Sequence, residues 1–367
     1  MSEMNDNAES LELESLIELL PIDDVDNFDL NEGILFAHDV DKYTIAEEHP
    51  YIKHILESSK LHVLQEQKVK SNYENYGIGG LFRLFIKDKF MDGILEWTNE
   101  ALTKDLRPPI DKQDLYMYIS LEIGMSLVGY NQIRDFWAEG LFVGHDDFKN
   151  AMSRNRFGEI RSHIKIHPPF MDKDDPNINK TDPLWHSRFL LDHILVNFAN
   201  TAVPLGASAI DESGIGCKAQ SQSVTFCPAK PDKYAIRFYS VVGHKYKYLF
   251  SIQDCGLTKL KDNDGYITPL NKYISVFPKL RTPVSKVVTD TGDITKNDAS
   301  ALWATQIAHM TLQKKSSTVP NNADNRYVFC DNFYTRHTLA TVIDKITDGE
   351  VKVTGTIRMN YVEMVNK

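Results

Sequence analysis

The apolar pattern of this chain changes period once, and that change sets what it can fold into. Before Pro204 apolar residues recur at helical spacing; after it they alternate as in strands. Such a chain needs helices packed on helices first and a helix-covered sheet second. The fold class read from this is α+β and multidomain. An all-helical region, 75–203, is followed by a mixed β-sheet domain over 204–367. Residues 1–50 form an acidic leader.

In the first part, Leu81, Leu84, Phe85, Ile94, Leu95, Trp97 and Leu102 keep helical spacing, broken only at Lys87-Asp88-Lys89. Pro108-Pro109 stops the chain and Asp111 is placed to cap the next helix. That helix, Gln113 to Leu127, is apolar nearly all round and is predicted to be buried. The nearly uncharged run Leu115 to Ile133 carries Glu122 and several small or polar residues, so it reads as a buried helix and not a membrane span. Asn131 to Ala138 and Asp146 to Ile166 read as amphipathic. The second sets Phe148, Met152, Phe157, Ile160 and Ile164 against Lys149, Arg154, Arg156, Arg161 and Lys165. Leu184 to Ala199 is a further helix after a proline-flanked loop.

In the second part, Ala207 to Ile210 is a short strand running into Asp211-Glu212. Tyr234 to Val242 and Tyr246 to Ile252 flank Gly243-His244-Lys245 as a hairpin. Asp254 to Asp298 is polar and holds three prolines, and it reads as an insertion or irregular crossover. Ala299 to Gln313 is helical, Arg326 to Cys330 a strand, Arg336 to Ile346 helical and Val351 to Ile357 a strand. The order β-β-β-α-β-α-β is that of an incomplete ribonuclease-H-like sheet, short of its closing helix.

Charge is unevenly spread. The chain has a formal net charge of -10, yet residues 1–48 hold 15 Asp or Glu and only Lys42, a balance of -14. The other 319 residues therefore carry +4. The composition of the leader predicts a solvated tail; the alternative is an acidic arm that masks a basic surface. The opening Met1-Ser2-Glu3-Met4 has no pattern of a secretory signal. Cys217, Cys227, Cys255 and Cys330 lack CxxC spacing, which points to reduced intracellular thiols.

Two acids end predicted strands: Asp211 in Ile210-Asp211-Glu212-Ser213, and Asp331 in Val328-Phe329-Cys330-Asp331-Asn332-Phe333. If the first and fourth strands are neighbours, both carboxylates project at one sheet edge. There they suit hard cations such as Mg2+ or Mn2+ and phosphoryl transfer. The plainer reading is two aspartates capping turns.

Several blocks resemble one family. Val328 to Thr335 is similar to the second catalytic block of piggyBac-type transposases, and Gly355-Thr356-Ile357-Arg358-Met359-Asn360 resembles the strand that follows it. Ile210 to Ser213 matches the first block, and Lys230-Pro231-Asp232-Lys233-Tyr234-Ala235-Ile236-Arg237 resembles the segment leading into the second strand. Ile133-Arg134-Asp135-Phe136-Trp137 and Met152-Ser153-Arg154-Asn155-Arg156-Phe157 are similar to two upstream segments.

The resemblance implies descent from a DDD/E transposase that cuts and pastes DNA at TTAA with divalent metal, Mg2+ or Mn2+. It implies Asp211 and Asp331 as catalytic metal ligands and a helical region for dimerisation and DNA binding. Double-stranded DNA is the implied partner, a homodimer the assembly, and the nucleus the location; no membrane is involved. Arg154, Arg156, Arg161 and Lys165 are the phosphate-contact candidates. The third aspartate has no counterpart. Asp344, Asp348, Glu350 and Glu363 are the acids after Asp331, and none falls in a matching segment. The expectation is therefore impaired catalysis. The alternatives are a domesticated DNA-binding or protein-interaction module, or a truncated gene model of an active transposase.

Other motifs carry less. His163-x3-His167 has zinc-like spacing but no acid or cysteine pair beside it, so a polar pair at a helix end is expected. Ser213 lacks a nucleophile elbow. Gly77-Ile78-Gly79-Gly80 reads as a loop leading into a helix, and the four tryptophans read as core residues.

Overall fold

The computed structural model describes residues 57, 59–130, 132–169, 182–255, 268–281, 299–315 and 326–356. The acidic leader lies outside these residues. They fall within the second of two compact units, 55–367.

The helical region opens with β1 (Lys60–Val63) and α1 (Glu66–Phe85). The glycines expected to precede a helix lie inside α1 instead. Gly77 (φ 59°) kinks it, and a Cβ on Gly80 would sit 2.0 Å from the Asn72 carbonyl oxygen. Glycine thus marks a bend here and not a start. Next come α2 (Asp88–Lys104) and α3 (Lys112–Leu127). The chain breaks at Lys87, as its charge predicted. Asp111 caps α3, accepting from the Asp114 N–H at 2.8 Å. Burial of α3 is one-sided: Leu115, Tyr118 and Leu121 are buried, whereas Leu127 is 81% exposed. Apolarity all round the helix did not translate into cover all round.

Ile133–Trp137 forms a single 3-10 turn. The predicted helix over 146–166 is two helices, α4 (Asp146–Ala151) and α5 (Arg154–His163). Ser153 breaks the run because its hydroxyl caps the second helix, accepting from the Arg156 N–H. Phe148, Met152, Phe157 and Ile160 share one core with Met91, Leu102 and Leu115.

Helix α6 (Trp185–Thr201) joins this bundle to the sheet. The α1–α2 junction clamps one side of it: Asn197 Nδ2 donates to the Phe85 carbonyl at 2.9 Å, and His193 stacks on Phe90. Leu195 and Ala199 enter the second core.

Strand β2 (Ala202–Leu205) pairs antiparallel with β1. Then follow β3 (Ala207–Gly216), β4 (Val224–Phe226), β5 (Tyr234–Gly243), β6 (Leu249–Asp254), α7 (Thr268–Val276), α8 (Ala299–Lys315), β7 (Arg326–Cys330), α9 (His337–Ile346) and β8 (Val351–Gly355). The sheet order is β4-β5-β3-β7-β8, with β6 also on β5. Neighbours β3, β7 and β8 run parallel; β5 is antiparallel to β3. This is the ribonuclease-H-like arrangement expected, with the first and fourth strands of the pattern adjacent.

Helices α7, α8 and α9 cover one sheet face. Trp303, Ile307, Leu339 and Val342 pack there against Ile210, Val328 and Val351. One expectation needs correcting. The polar stretch after Asp254 contains α7, whose Leu270, Tyr273 and Ile274 are core residues. Val351 of the last strand is 1% exposed because α9 lies over it.

Candidate functional site

Asp211 and Asp331 follow the last registered pair of two parallel strands, Ile210 and Cys330. Extending that register by one residue sets the two aspartates side by side, on strands about 4.8 Å apart. Alternation fixes the face. Ile210 and Cys330 point into the helix-covered core, so the aspartates point to the opposite face, where both are exposed. Each carboxylate spends one oxygen locally. Asp211 Oδ1 accepts from the Glu212 N–H at 2.7 Å, and Asp331 Oδ1 from the Phe333 N–H at 2.9 Å. Neither has an ion-pair partner among the described residues.

The turn after Asp331 is tightly built. Thr335 donates through its hydroxyl and its N–H to the Asp331 carbonyl, at 2.7 and 3.0 Å. Gly355 of β8 sits against this turn, where a Cβ would lie 2.1 Å from the Cys330 carbonyl oxygen. That contact gives the glycine of the Gly-Thr-Ile-Arg motif a physical reason: only glycine lets β8 approach the acidic turn this closely.

Behind the pair lies a buried polar layer. Glu212 points the other way from Asp211 and is held by Arg237, whose Nη1 donates to Oε1 at 3.0 Å. Tyr334 is fully buried, and its hydroxyl has no hydrogen-bond partner among the described residues. Burial raises its pKa, reinforced by the charges of Tyr239, Glu212, Asp211 and Asp331, so it stays protonated. Burial likewise pushes the Cys330 thiol up to about 12, with help from Asp331. It is no nucleophile.

The later acids lie elsewhere. Glu350 pairs with buried Arg326 at 3.5 Å, at the opposite end of β7 from Asp331. Five strand residues separate those ends, about 16 Å. Asp344 pairs with Lys352 at 2.8 Å. Glu363 lies outside the described residues. No group of three His, Cys, Asp or Glu side chains placed to hold a metal occurs among the described residues. In donor type the aspartate pair fits a hard divalent cation; in donor number it is short for two.

The basic candidates on α5 divide. Arg154 is exposed with no ion pair among the described residues. Arg156 is committed to the protein, bonding Glu159 at 2.6 Å and the carbonyls of Pro108 and Pro109. Arg161 lies 3.4 Å from Glu122 and stays partly exposed. Lys165 is half-buried after the helix ends. Arg107, Arg154, Arg161 and His163 line an open cleft of about 570 Å³. His163 and His167 do not converge: the first reaches Asp105 and the second packs on Trp185.

A feature invisible to local reading is the charge cluster between α6 and the sheet. Arg188 bonds Asp182 at 2.8 Å and buried Asp254 at 2.8 Å, and Lys272 of α7 bonds Asp182 at 2.8 Å. Asp192 sits beside it, pushed up to about 6 chiefly by burial.

A helical region leading into a ribonuclease-H-like sheet, with an aspartate pair at one edge, is the plan of a transposase core. Residues 79–364 match the family described as Transposase IS4, and the chain belongs to that family. In fold it is similar to piggyBac transposase, solved by cryo-EM as a synaptic complex with hairpin DNA. The TM-score is 0.52 at 17% identity, over 77% of this chain and 52% of that one. The chain thus spans about half the length of that transposase. No curated protein gives a significant match. No helix among the described residues is long and apolar enough to cross a membrane.

Proposed function

We propose that this chain is a piggyBac-type, transposase-derived DNA-binding protein in which Asp211 and Asp331 hold one divalent cation. The observation that carries the reading is the register: two exposed aspartates, side by side on parallel strands, without competing ion pairs among the described residues. A bound Mg2+ or Mn2+ would polarise a scissile phosphate and lower the pKa of attacking water. The residues contribute charge and position. Asp211 and Asp331 present paired carboxylates to solvent; the Phe333 N–H and Thr335 hold the second in its turn; Arg237 keeps Glu212 off the site.

We place the catalytic part in residues 204–367 and the dimerisation and DNA-binding part in 75–203, with a homodimer as the assembly and the nucleus as the place of action. With two acids among the described residues, the site offers too little negative charge for a metal pair. Strand cleavage by these 367 residues alone is therefore expected to be severely impaired. A magnesium- or manganese-dependent nicking assay on a TTAA-flanked transposon end tests this, with Asp211→Ala as control. Clear cleavage that the control loses would refute the impairment. The same count of two acids among the described residues favours, as second reading, a DNA-binding module without strand chemistry.

Binding to duplex DNA should fall with salt, at a logarithmic slope near 0.9 per phosphate contacted. Arg154→Ala, Arg161→Ala or Lys165→Ala should each lower that slope by about one contact. Arg156→Ala should act on stability more, since its guanidinium is already engaged. Deleting residues 1–48 should strengthen binding, because the -14 balance there competes with phosphate. Unchanged affinity in the deletion would dispose of masking.

A further inference from the structure

We propose that the open face of the β3–β4–β5 extension is a stacking surface for unpaired nucleotides of a DNA strand that reaches the aspartate pair. This deepens the DNA-processing reading and rests on it. The argument begins with register. Asp211 faces Ser240 of β5, Ser213 faces Phe238, and Ile215 faces Ile236. Tyr234 follows two residues beyond Ile236 and faces Phe226 of β4. Alternation therefore puts Asp211, Ser213, Ile215, Ile236, Tyr234 and Phe226 on one face, in a row leading away from the acids. Four residues of β3 and two of β5 make that row about 20 Å long, the reach of a few nucleotides.

The far end of the row is apolar and open. Ile215 is 62% exposed, Tyr234 60% and Phe226 49%, and the two rings lie 4.9 Å apart, tilted by 38°. Rings held by cross-strand pairing form a rigid platform that loses little entropy when a base stacks on it.

Charge selects the occupant. Lys218, Lys230 and Lys233 lie on the two turns that join these strands; all are exposed, and none has an ion pair among the described residues. Between residues 213 and 237, Asp232 is the one acid. Aromatic faces bordered by lysines suit bases and phosphates, and the shortage of acids beside those lysines favours a polyanion over a protein partner. Base pairs in a duplex hide their faces, so the strand bound here is unpaired.

The test compares a blunt duplex with the same duplex carrying a four-nucleotide overhang that contains 2-aminopurine, using the full chain. The intact protein should prefer the overhang by about tenfold or more and quench the 2-aminopurine. F226A/Y234A should lose both the preference and the quenching while keeping blunt-duplex affinity and thermal midpoint. F226W/Y234W should retain both. K230A/K233A should weaken overhang binding and lower its salt slope by about 0.7 per lost phosphate. Undiminished preference in F226A/Y234A overturns the stacking surface alone. So does a dimer that this variant dissociates with no change in DNA binding. Binding of neither DNA by the intact chain would overturn the DNA-processing reading with it.

Discussion

Arg188→Ala is expected to lower the unfolding free energy by about 3–5 kcal/mol at neutral pH. The guanidinium of Arg188 joins Asp182, ahead of α6, to Asp254 at the end of β6. Asp254 is buried. Removing the cation leaves that carboxylate in a low-dielectric site with the Asp182 and Asp192 charges nearby. The cost is that of an unpaired buried charge, and it exceeds what the intact pair contributes. Lys272 remains on Asp182 but has no bond to Asp254. Arg188→Lys keeps charge and loses the fork that bonds both acids, so its cost should be intermediate. Denaturant midpoints measured at constant m-value check this. A loss below about 1 kcal/mol for Arg188→Ala would mean that the cluster is solvated and does not tie the helix to the sheet.

The second large effect has the opposite sign. Asp192→Asn is expected to stabilise the protein at pH 7–8 by at most about 3 kcal/mol and to do nothing below about pH 4. Burial raises Asp192 to about 6; Asp182 and Asp254 add to the rise, while Arg188 and Lys272 oppose it. A raised carboxyl is protonated more readily in the folded state than in the unfolded chain. Its ionisation therefore destabilises the fold. The penalty is absent below the unfolded pKa near 3.9, grows as pH rises, and is complete above 6. Stability of the intact chain should fall between pH 4 and 6 by the amount that Asp192→Asn restores. In the Arg188→Ala background the same substitution should gain more, because an opposing cation is gone. Parallel pH curves for the intact chain and Asp192→Asn would rule this out.

Much of the sheet was legible because its signals are local. Arg326 to Cys330 is a strand with the bounds expected, and α8, α9 and β8 follow within a few residues. The aspartate pair was legible for the same reason: each acid ends an apolar run, and parallel pairing of those runs brings them together. What could not be read depends on partners distant in sequence. Strand β3 continues through Ser213-Gly214-Ile215-Gly216, residues that by themselves suggest a turn, because β5 offers a full antiparallel partner. Helix α7 hides in polar sequence because only Leu270, Tyr273 and Ile274 need burial. The Arg188 cluster joins residues 66 positions apart, which no spacing rule connects. Arg156 looked like a phosphate ligand because its partners at Pro108 and Pro109 lie 48 and 47 residues upstream.

Asp211 and Asp331 are proposed to share a divalent cation. Manganese binding to the purified chain, followed by electron paramagnetic resonance of free Mn2+, tests it without DNA or turnover. One site per chain is expected, weakened at least tenfold by Asp211→Asn or Asp331→Asn alone, because each substitution removes one of two charged oxygen ligands. Glu350→Gln should leave that site unchanged, since its carboxylate lies at the far end of β7. Equal manganese affinity in the intact chain, Asp211→Asn and Asp331→Asn would mean that the two aspartates do not share a cation.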